Sequence, residues 1–277
     1  MISQRMMVGG GLKPETWAFS VNTEATAAGE KKTAIPFNLV GRDGGFLDVD
    51  WGDGTLSRLT SDNYTLSDSM ASVHEYASVG EYQVLISSTK WSELGLLIMY
   101  PNGTASNIAT PNTLNEPLYW FRRTIISVDS KIPNMYGTLQ IPADNRTSLN
   151  TAFMQHNKFP RVFLFCGKLL SVPDDVFMSL PNSTDFYGMF QGSGITSISR
   201  SLLQYNTNLT ILRYFLYNCT NLGDFSLDIT SRDVSNAGNF VSKVTTASRT
   251  VYVPSDSTTE TTFNGVASTL GLTVIGE

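Results

Sequence analysis

The sequence predicts a chain of two parts, an N-terminal all-β sandwich followed by a C-terminal α/β repeat array. Apolar and polar residues alternate over residues 46–51, which indicates a strand with one buried face. In the second half, phenylalanines recur every 25 residues, at Phe165, Phe190, Phe215 and Phe240. A fixed period of this length is typical of repeat architectures. The 277 residues leave room for each part to bury its own core.

Composition excludes several classes of protein. A hydrophobic fraction of 41% with 16% charged residues is typical of a globular chain and not of a disordered one. The formal net charge of -5 is mild, and no run of lysines and arginines is present, so we expect no nucleic-acid partner. No apolar run approaches the roughly 18 residues of a membrane span, so we expect no membrane insertion.

Residues 1–14 are predicted to form an N-terminal arm. Its arginine precedes only three apolar residues before three glycines follow, and this run is too short for a signal peptide. The residues expected to anchor the chain on a partner protein or a sister subunit are Met1, Arg5, Met6 and Met7. The alternative is a loose terminus.

Residues 15–101 are predicted to form the sandwich. Two strands show buried faces, with apolar positions at Trp17, Phe19 and Val21 in one and at Leu47, Val49 and Trp51 in the other. A further strand over residues 34–40 contains Pro36, which is typical of an edge strand because proline donates no ladder hydrogen bond. After Gly80, the residues Tyr82, Val84 and Ile86 share one face of another strand. A Pro-Asn-Gly turn at residues 101–103 ends this part.

One combination of motifs points to a family. V-D-W-G-D-G over residues 49–54 is followed by H-E-Y over residues 74–76 and G-E-Y-Q-V over residues 80–84. This combination closely resembles the polycystic-kidney-disease (PKD) type of immunoglobulin-like sandwich, over roughly residues 16–100. The resemblance implies a spacer or adhesive module on a surface and seldom a catalyst, although a fold does not fix a function.

Three aspartates in these motifs are candidate metal ligands. Carboxylate oxygens of Asp48, Asp50 and Asp53 are of the type that Ca²⁺ prefers. Alternation places Asp48 and Asp50 on the outer face of the strand. Asp53 lies in the Gly-Asp-Gly turn, where an aspartate commonly bonds its own backbone. The sequence thus allows either a bound Ca²⁺, the one possible cofactor, or turn chemistry without a metal; His74 is expected to be a structural hydrogen-bonding residue.

Residues 102–124 are predicted to link the two parts. Their apolar end, L-Y-W-F over residues 118–121, is followed by two arginines. Trp120 and Arg122 are therefore candidates for a binding surface, where a cation stacks on an aromatic ring and faces a ligand. The alternative is packing between the two parts.

Residues 125–277 are predicted to form the repeat array. Three of the four phenylalanines, Phe165, Phe190 and Phe215, precede partly similar flanks, namely L-S-V-P at residues 170–173, I-T-S-I-S at residues 195–199 and N-C-T-N-L at residues 218–222. A short strand and a short helix are expected in each unit, with Pro173 in the first turn of its helix. The flanks resemble BspA-type leucine-rich repeats, which implies an α/β solenoid; the unit over residues 231–243 departs from the pattern by losing most apolar positions. Residues 249–254 and 270–275 are expected to form the terminal strand and cap.

The two cysteines, Cys166 and Cys219, lie in different units at non-equivalent positions. A disulfide needs their Cα atoms within about 7 Å, which units separated by another repeat do not allow. We expect both cysteines to be small, buried residues in turns.

The sequence predicts no enzyme. It contains no phosphate loop, H-E-x-x-H, C-x-x-C or G-x-S-x-G motif, and its two histidines, His74 and His156, fall in different parts. Aromatic side chains expected on the surface supply binding candidates instead, at Tyr187, Tyr205 and Tyr217, because ring faces stack on sugars. Tyr214 and Tyr217 flank Phe215, so one of these two is expected in the core and the other outside. A carbohydrate-cleaving tail enzyme is the weaker alternative that these aromatics leave open.

These observations predict a non-enzymatic structural or binding protein, a bacteriophage virion component of the tail, fibre or head decoration. Its expected partners are other virion proteins, further copies of itself, or a glycan or protein of the host surface. The alternative is a bacterial cell-surface adhesin or carbohydrate-binding module. The short apolar run near residue 1 favours the virion over an exported adhesin.

Overall fold

The computed structural model describes most of the chain. The described residues are 15–23, 31–35, 37–38, 46–60, 73–93, 95–99, 116–135, 137–141, 153–242 and 248–277. The predicted anchoring arm, with Met1, Arg5, Met6 and Met7, lies outside the described residues, as do Pro36 and residues 102–115 of the predicted linker.

The described residues contain fourteen strands and two α-helices. The strands are β1 (Glu15–Asn22), β2 (Lys32–Ala34), β3 (Phe37–Asn38), β4 (Phe46–Asp50), β5 (Leu56–Thr60), β6 (Val73–Glu75), β7 (Glu81–Ser88), β8 (Gly95–Met99), β9 (Ile125–Val128), β10 (Gly137–Ile141), β11 (Phe153–His156), β12 (Phe225–Asp228), β13 (Arg249–Val253) and β14 (Thr273–Gly276). The helices are α1 (Glu116–Thr124) and α2 (Thr258–Leu270). Neither is long and apolar enough to cross a membrane.

The main sheet is antiparallel, in the order β5, β4, β7, β1, β9. The alternation read from the sequence is confirmed, because Trp17, Phe19, Leu47 and Val49 are fully buried while the residues between them are not. Each such apolar side chain contributes roughly 1.5–3 kcal/mol when it leaves water. Strands β2 and β6 form a separate antiparallel pair.

Two connections cross the predicted boundary between the parts. Strand β9 pairs with β1 in the main sheet, and its Ser127 also forms a parallel bridge to Ser171. Strand β8 pairs in parallel with β10, in a sheet ordered β11, β10, β8, β3. Helix α1 has neighbours in both parts, since Phe121 meets Phe19 edge-on at 5.5 Å and Arg122 lies near enough to Cys166 to interact with it electrostatically. The two predicted domains therefore share sheets and one core cluster.

The predicted C-terminal α/β leucine-rich-repeat solenoid is wrong. Residues 157–242, called here the turn stack, contain turns, isolated bridges and the short strand β12, without a helix. Where helices were expected, N–H groups bond to carbonyls three residues earlier, as in Val176 to Pro173 and Leu202 to Ser199. An α-helix requires bonds four residues back. The chain is therefore predominantly a multi-sheet β protein.

Parallel bridges join successive units of the turn stack. They link Lys158 to Asp185, Asp185 to Ile211 and Ile211 to Asn236, which are 27, 26 and 25 residues apart. The units thus shorten along the chain, and the constant 25-residue spacing of phenylalanines does not mark equivalent positions.

The ring contacts also show that the phenylalanines of the 25-residue series do not all occupy equivalent positions. Phe163, and not Phe165, stacks on Phe190, with centroids 5.5 Å apart and planes 10° apart. Phe190 meets Phe215 edge-on at 83°, whereas Phe215 and Phe240 are again stacked, at 14°. The N–H of Phe190 donates to the carbonyl of Phe215 itself. Phe215 is therefore displaced by one residue from the position in its unit that corresponds to Phe190. This column of rings forms the core of the turn stack.

Helix α2 covers the end of this column. Phe263 packs on Phe240 at 5.3 Å, and the parallel sheet β12, β13, β14 lies beside it. The sequence predicted a cap here but no helix. The start of helix α2 is marked in the sequence by the capping box S-T-T-E at residues 257–260, in which the Ser257 side chain accepts from the N–H of Glu260.

The expectation that both cysteines are buried and unpaired is confirmed, but their predicted non-equivalence is wrong. Each follows a left-handed residue, Phe165 or Asn218, and donates its N–H to the carbonyl three residues earlier, so the two occupy corresponding places in their units. Cys166 and Cys219 are free thiols and both are buried. Burial raises the pKa of Cys166 to about 12, so its thiol stays protonated and unreactive.

Candidate binding surface

One face of the turn stack brings tyrosines and arginines of three successive units side by side. The members of this tyrosine–arginine strip are Arg161, Tyr187, Arg213, Tyr214 and Tyr217. All three tyrosines and Arg213 are partly exposed, whereas Arg161 is buried.

The backbone fixes the position of the strip. Arg161, Gly188 and Tyr214 occupy corresponding places in three units, and each has a left-handed φ between 58° and 61°. Their N–H groups donate to carbonyls of the next unit, at Tyr187, Arg213 and Gly238 respectively. Left-handed backbone at residues with side chains costs on the order of 1–3 kcal/mol and persists only where the surroundings enforce it. The repeated hydrogen bonds between units provide that enforcement.

Each of the two arginines lies against a glycine of the next unit. A Cβ at Gly188 would lie 3.4 Å from Cγ of Arg161, and one at Gly238 would lie 3.6 Å from Nε of Arg213. Each arginine therefore extends along the stack over a glycine of the next unit. The guanidinium of Arg161 then reaches the ring of Tyr187, with Cζ 4.9 Å from the centroid.

The tyrosines form a continuous aromatic surface. Tyr187 and Tyr214 have centroids 5.4 Å apart, and Tyr214 meets Tyr217 edge-on at 5.3 Å. Arg213 lies 4.9 Å over the Tyr214 ring and donates from Nη2 to its hydroxyl at 3.3 Å. Hydrogen bonds made by Asn239 and then Arg213 lower the pKa of Tyr214. The strip thus combines π faces, hydroxyl groups and guanidinium groups.

The two arginines of the strip have no salt-bridge partner within the part of the chain that the structure describes, although the Asp185 carboxylate is near enough to interact with the charge of Arg161. Neither Arg161 nor Arg213 forms an ion pair there, and the Nε atom of each is buried without a hydrogen-bond partner. The nearby carboxylate of Asp185 instead accepts from the N–H of Tyr187 at 2.7 Å. Burial raises the pKa of Asp185, although Lys158 and Arg161 oppose that shift.

The predicted binding role of two residues, Trp120 and Arg122, is wrong. Trp120 is buried against Ala34 and Tyr119, and Arg122 is buried in the same helix α1. Burial lowers the pKa of Arg122 to about 10, and Cys166 and Arg161 are near enough to act on its charge. Trp120 therefore packs against the first part of the chain and Arg122 lies beside residues of the second part, and neither side chain faces solvent.

The remaining predicted surface tyrosines separate into two groups. Tyr187 and Tyr217 lie in the strip, joined through Tyr214. Tyr205 is exposed in the turn over residues 201–205, and no ring contact links it to the strip.

The three candidate metal ligands have separate partners. Asp48 makes a bidentate pair with Arg58, with both N–O distances 2.6 Å. Asp50 accepts from the N–H of Gly52 at 3.0 Å. Asp53 accepts from the N–H and the hydroxyl of Thr55, at 2.9 and 2.6 Å. Among the described residues, no group of three or more His, Cys, Asp and Glu side chains is placed to hold a metal ion.

Asp53 belongs to a structural cluster with the PKD-like motifs. Its Oδ2 lies 2.8 Å from Nε2 of His74, whose ring stacks on Trp51 at 4.8 Å. Burial alone would raise the pKa of Asp53, but hydrogen bonds from Thr55 and His74 lower it to about 2. The hydroxyl of Tyr76 donates to the carbonyl of Trp51, which completes the cluster. These contacts fix the turn and agree with the structural role expected for His74.

Comparison with known proteins adds no assignment. No family model, no curated protein and no solved structure matches the chain. The PKD-type and BspA-type resemblances therefore remain expectations from the sequence.

Two members of the strip, Arg161 and Arg213, were not predicted from the sequence, and the expectation that one of Tyr214 and Tyr217 lies in the core is wrong, since both are partly exposed. A signal was present in the pairs P-R at residues 160–161, Y-G at residues 187–188 and R-Y at residues 213–214. Aligning these pairs requires units of 27 and 26 residues, and the fixed period of 25 concealed the correspondence.

Proposed function

We propose that this chain is a non-enzymatic binding protein that attaches a larger assembly to a surface through the tyrosine–arginine strip. The observation that carries the proposal is the clustering of three partly exposed tyrosines with two arginines that have no carboxylate partner among the described residues. Tyrosine and arginine are the residue types in which binding energy concentrates at interfaces.

A rigid support favours binding by the strip. Its side chains rest on units joined by backbone hydrogen bonds and by the column of buried phenylalanines. Side chains that are already ordered lose less conformational entropy when a ligand binds. The turn stack is therefore suited to present a fixed surface.

We further propose that the assembly is a bacteriophage virion, with the chain in its tail, fibre or head decoration. The PKD-like motifs support this setting because such modules serve as spacers and adhesive units. The partners are then neighbouring virion proteins or copies of the chain on one side, and a host-surface glycan or protein at the strip.

A cell-binding assay tests the proposal. Fluorescently labelled full-length chain is added to a panel of Gram-negative and Gram-positive cells, and bound fluorescence is measured by flow cytometry. Tyr187→Ala combined with Tyr217→Ala is expected to lower binding at least about tenfold, because both rings lie in the strip. Tyr205→Ala, which removes an exposed tyrosine outside the strip, is the matched control and is expected to bind like the wild type. Absence of binding to every cell type, or equal binding by all variants, contradicts the proposal.

A further inference from the structure

We propose that the ligand of the strip is an acidic polysaccharide, with its pyranose rings on the tyrosines and its carboxylates on the arginines. This inference rests on the proposed function and specifies the ligand of the same surface. Charge, ring geometry and the direction of the strip along the stack each support it.

The arginines indicate an anionic ligand. Arg58 and Arg200, whose side chains are exposed, contact carboxylates of their own chain, Asp48 in one case and Asp228 and Glu277 in the other. Arg161 and Arg213 form no such pair among the described residues. A guanidinium group binds a carboxylate with two parallel hydrogen bonds, which gives both affinity and orientation. On a chain of net charge -5, these two arginines favour an anion locally.

The tyrosines indicate a sugar. Their rings are inclined to one another, by 58° between Tyr187 and Tyr214 and by 88° between Tyr214 and Tyr217, so they do not form one flat platform. Each ring can instead receive a separate C–H face of a sugar ring, which its negative π face attracts. Exposed amides at Asn218 and Asn239 lie at the border and can bond sugar hydroxyls.

The direction of the strip indicates a polymer. Backbone segments of successive units lie side by side, and strands paired in this way are about 4.8 Å apart. The strip crosses three units, contributed by Arg161, by Tyr187 and by Arg213 with Tyr214 and Tyr217. Similar groups therefore recur along one line, and a chain of linked sugars can contact them in succession.

The experiment compares binding of the full chain to defined polymers by biolayer interferometry at low salt. The acidic probes are polygalacturonate, hyaluronate and polysialic acid; dextran is the neutral polysaccharide and polyglutamate the acidic peptide. We expect at least one acidic polysaccharide to bind, and dextran and polyglutamate to bind at least about tenfold more weakly because each lacks one of the two features.

Variants connect the affinity to the strip. Arg213→Ala is expected to weaken binding of the acidic polysaccharide by at least about tenfold, and Arg213→Lys by less, since lysine keeps the charge and loses the planar fork. Tyr205→Ala is the control and is expected to leave the affinity unchanged. Circular dichroism of each variant confirms that the fold is retained.

Each contrary result has a distinct meaning. Equal binding of polyglutamate overturns the sugar component, and equal binding of dextran with no effect of Arg213→Ala overturns the acidic component. No binding of any acidic polysaccharide overturns the inference. If strip variants still lose binding to cells in that last case, the proposed function stands without this ligand; if cells are not bound either, both fail.

Discussion

The main sheet and the turn stack use their charged and aromatic side chains in opposite ways. In the sheet region, Asp48 is paired with Arg58, and Asp53 is held by Thr55 and His74. On the stack face, Arg161 and Arg213 lie over tyrosine rings without a carboxylate partner among the described residues. Polar groups that are satisfied internally stabilise a fold, whereas groups left open are available to a ligand. This difference locates the candidate site in the stack and not at the acidic motif.

The two regions also differ in how their cores form. In the sheet, alternation along a strand buries Trp17 and Phe19. In the turn stack, the buried rings of Phe163, Phe190, Phe215 and Phe240 pack on one another across neighbouring units. Removal of one central ring should therefore disturb two interfaces at once.

The largest effect is expected for Phe190→Ala. Phe190 is fully buried and contacts Phe163, Phe177 and Phe215. Deleting its ring should lower the free energy of unfolding by about 3–5 kcal/mol, from lost burial and the cavity that remains. Urea unfolding followed by circular dichroism measures the loss. Met178→Ala, at an exposed position of the same stack, should change stability little; a loss below about 1 kcal/mol for Phe190→Ala contradicts this description of the core.

The next largest effect on stability is expected from alanine substitutions at the two glycines of the Gly-Asp-Gly turn, and it should differ between them. Both have left-handed backbone, with φ 82° at Gly52 and 92° at Gly54. A Cβ at Gly52 would lie 2.5 Å from the carbonyl oxygen of Gln83, whereas one at Gly54 meets nothing within 4 Å. Gly54→Ala should cost about 1–2 kcal/mol from backbone strain alone.

Gly52→Ala should cost more than Gly54→Ala, because the turn must also move away from β7. Thermal unfolding of both variants under identical conditions gives the comparison. Equal losses would show that the close approach of Gly52 to Gln83 contributes nothing to the packing of the turn on the sheet.

A smaller, pH-dependent effect is expected from Asp53. Its pKa in the folded chain is about 2, below the ordinary value of 3.8. Its contribution to stability is therefore fully present above about pH 4 and is lost as pH falls through about 2. Wild type should be more stable than Asp53→Asn at pH 7, and the difference should shrink towards pH 2.

Urea unfolding between pH 2 and pH 7 measures this difference. Asp174→Asn replaces an exposed aspartate of the turn stack and serves as the control. A stability difference for Asp53→Asn that stays constant over the whole range would rule out the hydrogen-bonded carboxylate as its source.

The smallest effect on stability is expected within the strip itself. Arg213 is partly exposed and forms no ion pair among the described residues, so Arg213→Ala should change the free energy of unfolding by no more than about 0.5 kcal/mol. The same substitution is expected to remove most of the binding. A large loss of stability would instead mean that Arg213 serves the fold, as Arg58 does in the sheet.

The sequence predicted the sheet better than the stack for a physical reason. Alternation at Leu47 and Val49 is a local pattern, so the buried face follows from consecutive residues. Asp53 in its turn was likewise predictable, since an aspartate bonds the backbone two residues on. The pairings of β9 with β1 and of β8 with β10 depend on contacts between residues distant in sequence, and no local sequence pattern indicated them.

In the turn stack, the 25-residue spacing of the phenylalanines led to a wrong prediction of which residues are equivalent. Phe165 continues the 25-residue series, yet Phe163 is the ring that packs on Phe190. Apolar pairs such as Val176 and Phe177 suggested helices, but their backbone closes tight turns in place of helical ones. The strip was predictable only in part. Tyr187 and Tyr217 were predicted as surface aromatics, but their position beside Arg161 and Arg213 follows only when the units are given their unequal lengths of 27 and 26 residues.

Hydroxyl-radical footprinting of the tyrosines tests the binding surface most directly. The full chain is oxidised alone and in the presence of cells that bind it, and modification of each tyrosine is read by mass spectrometry. Protection of Tyr187, Tyr214 and Tyr217, with Tyr205 modified equally in both samples, is the predicted result. Protection of Tyr205 while the three strip tyrosines remain unchanged would place the binding surface elsewhere and contradict the account.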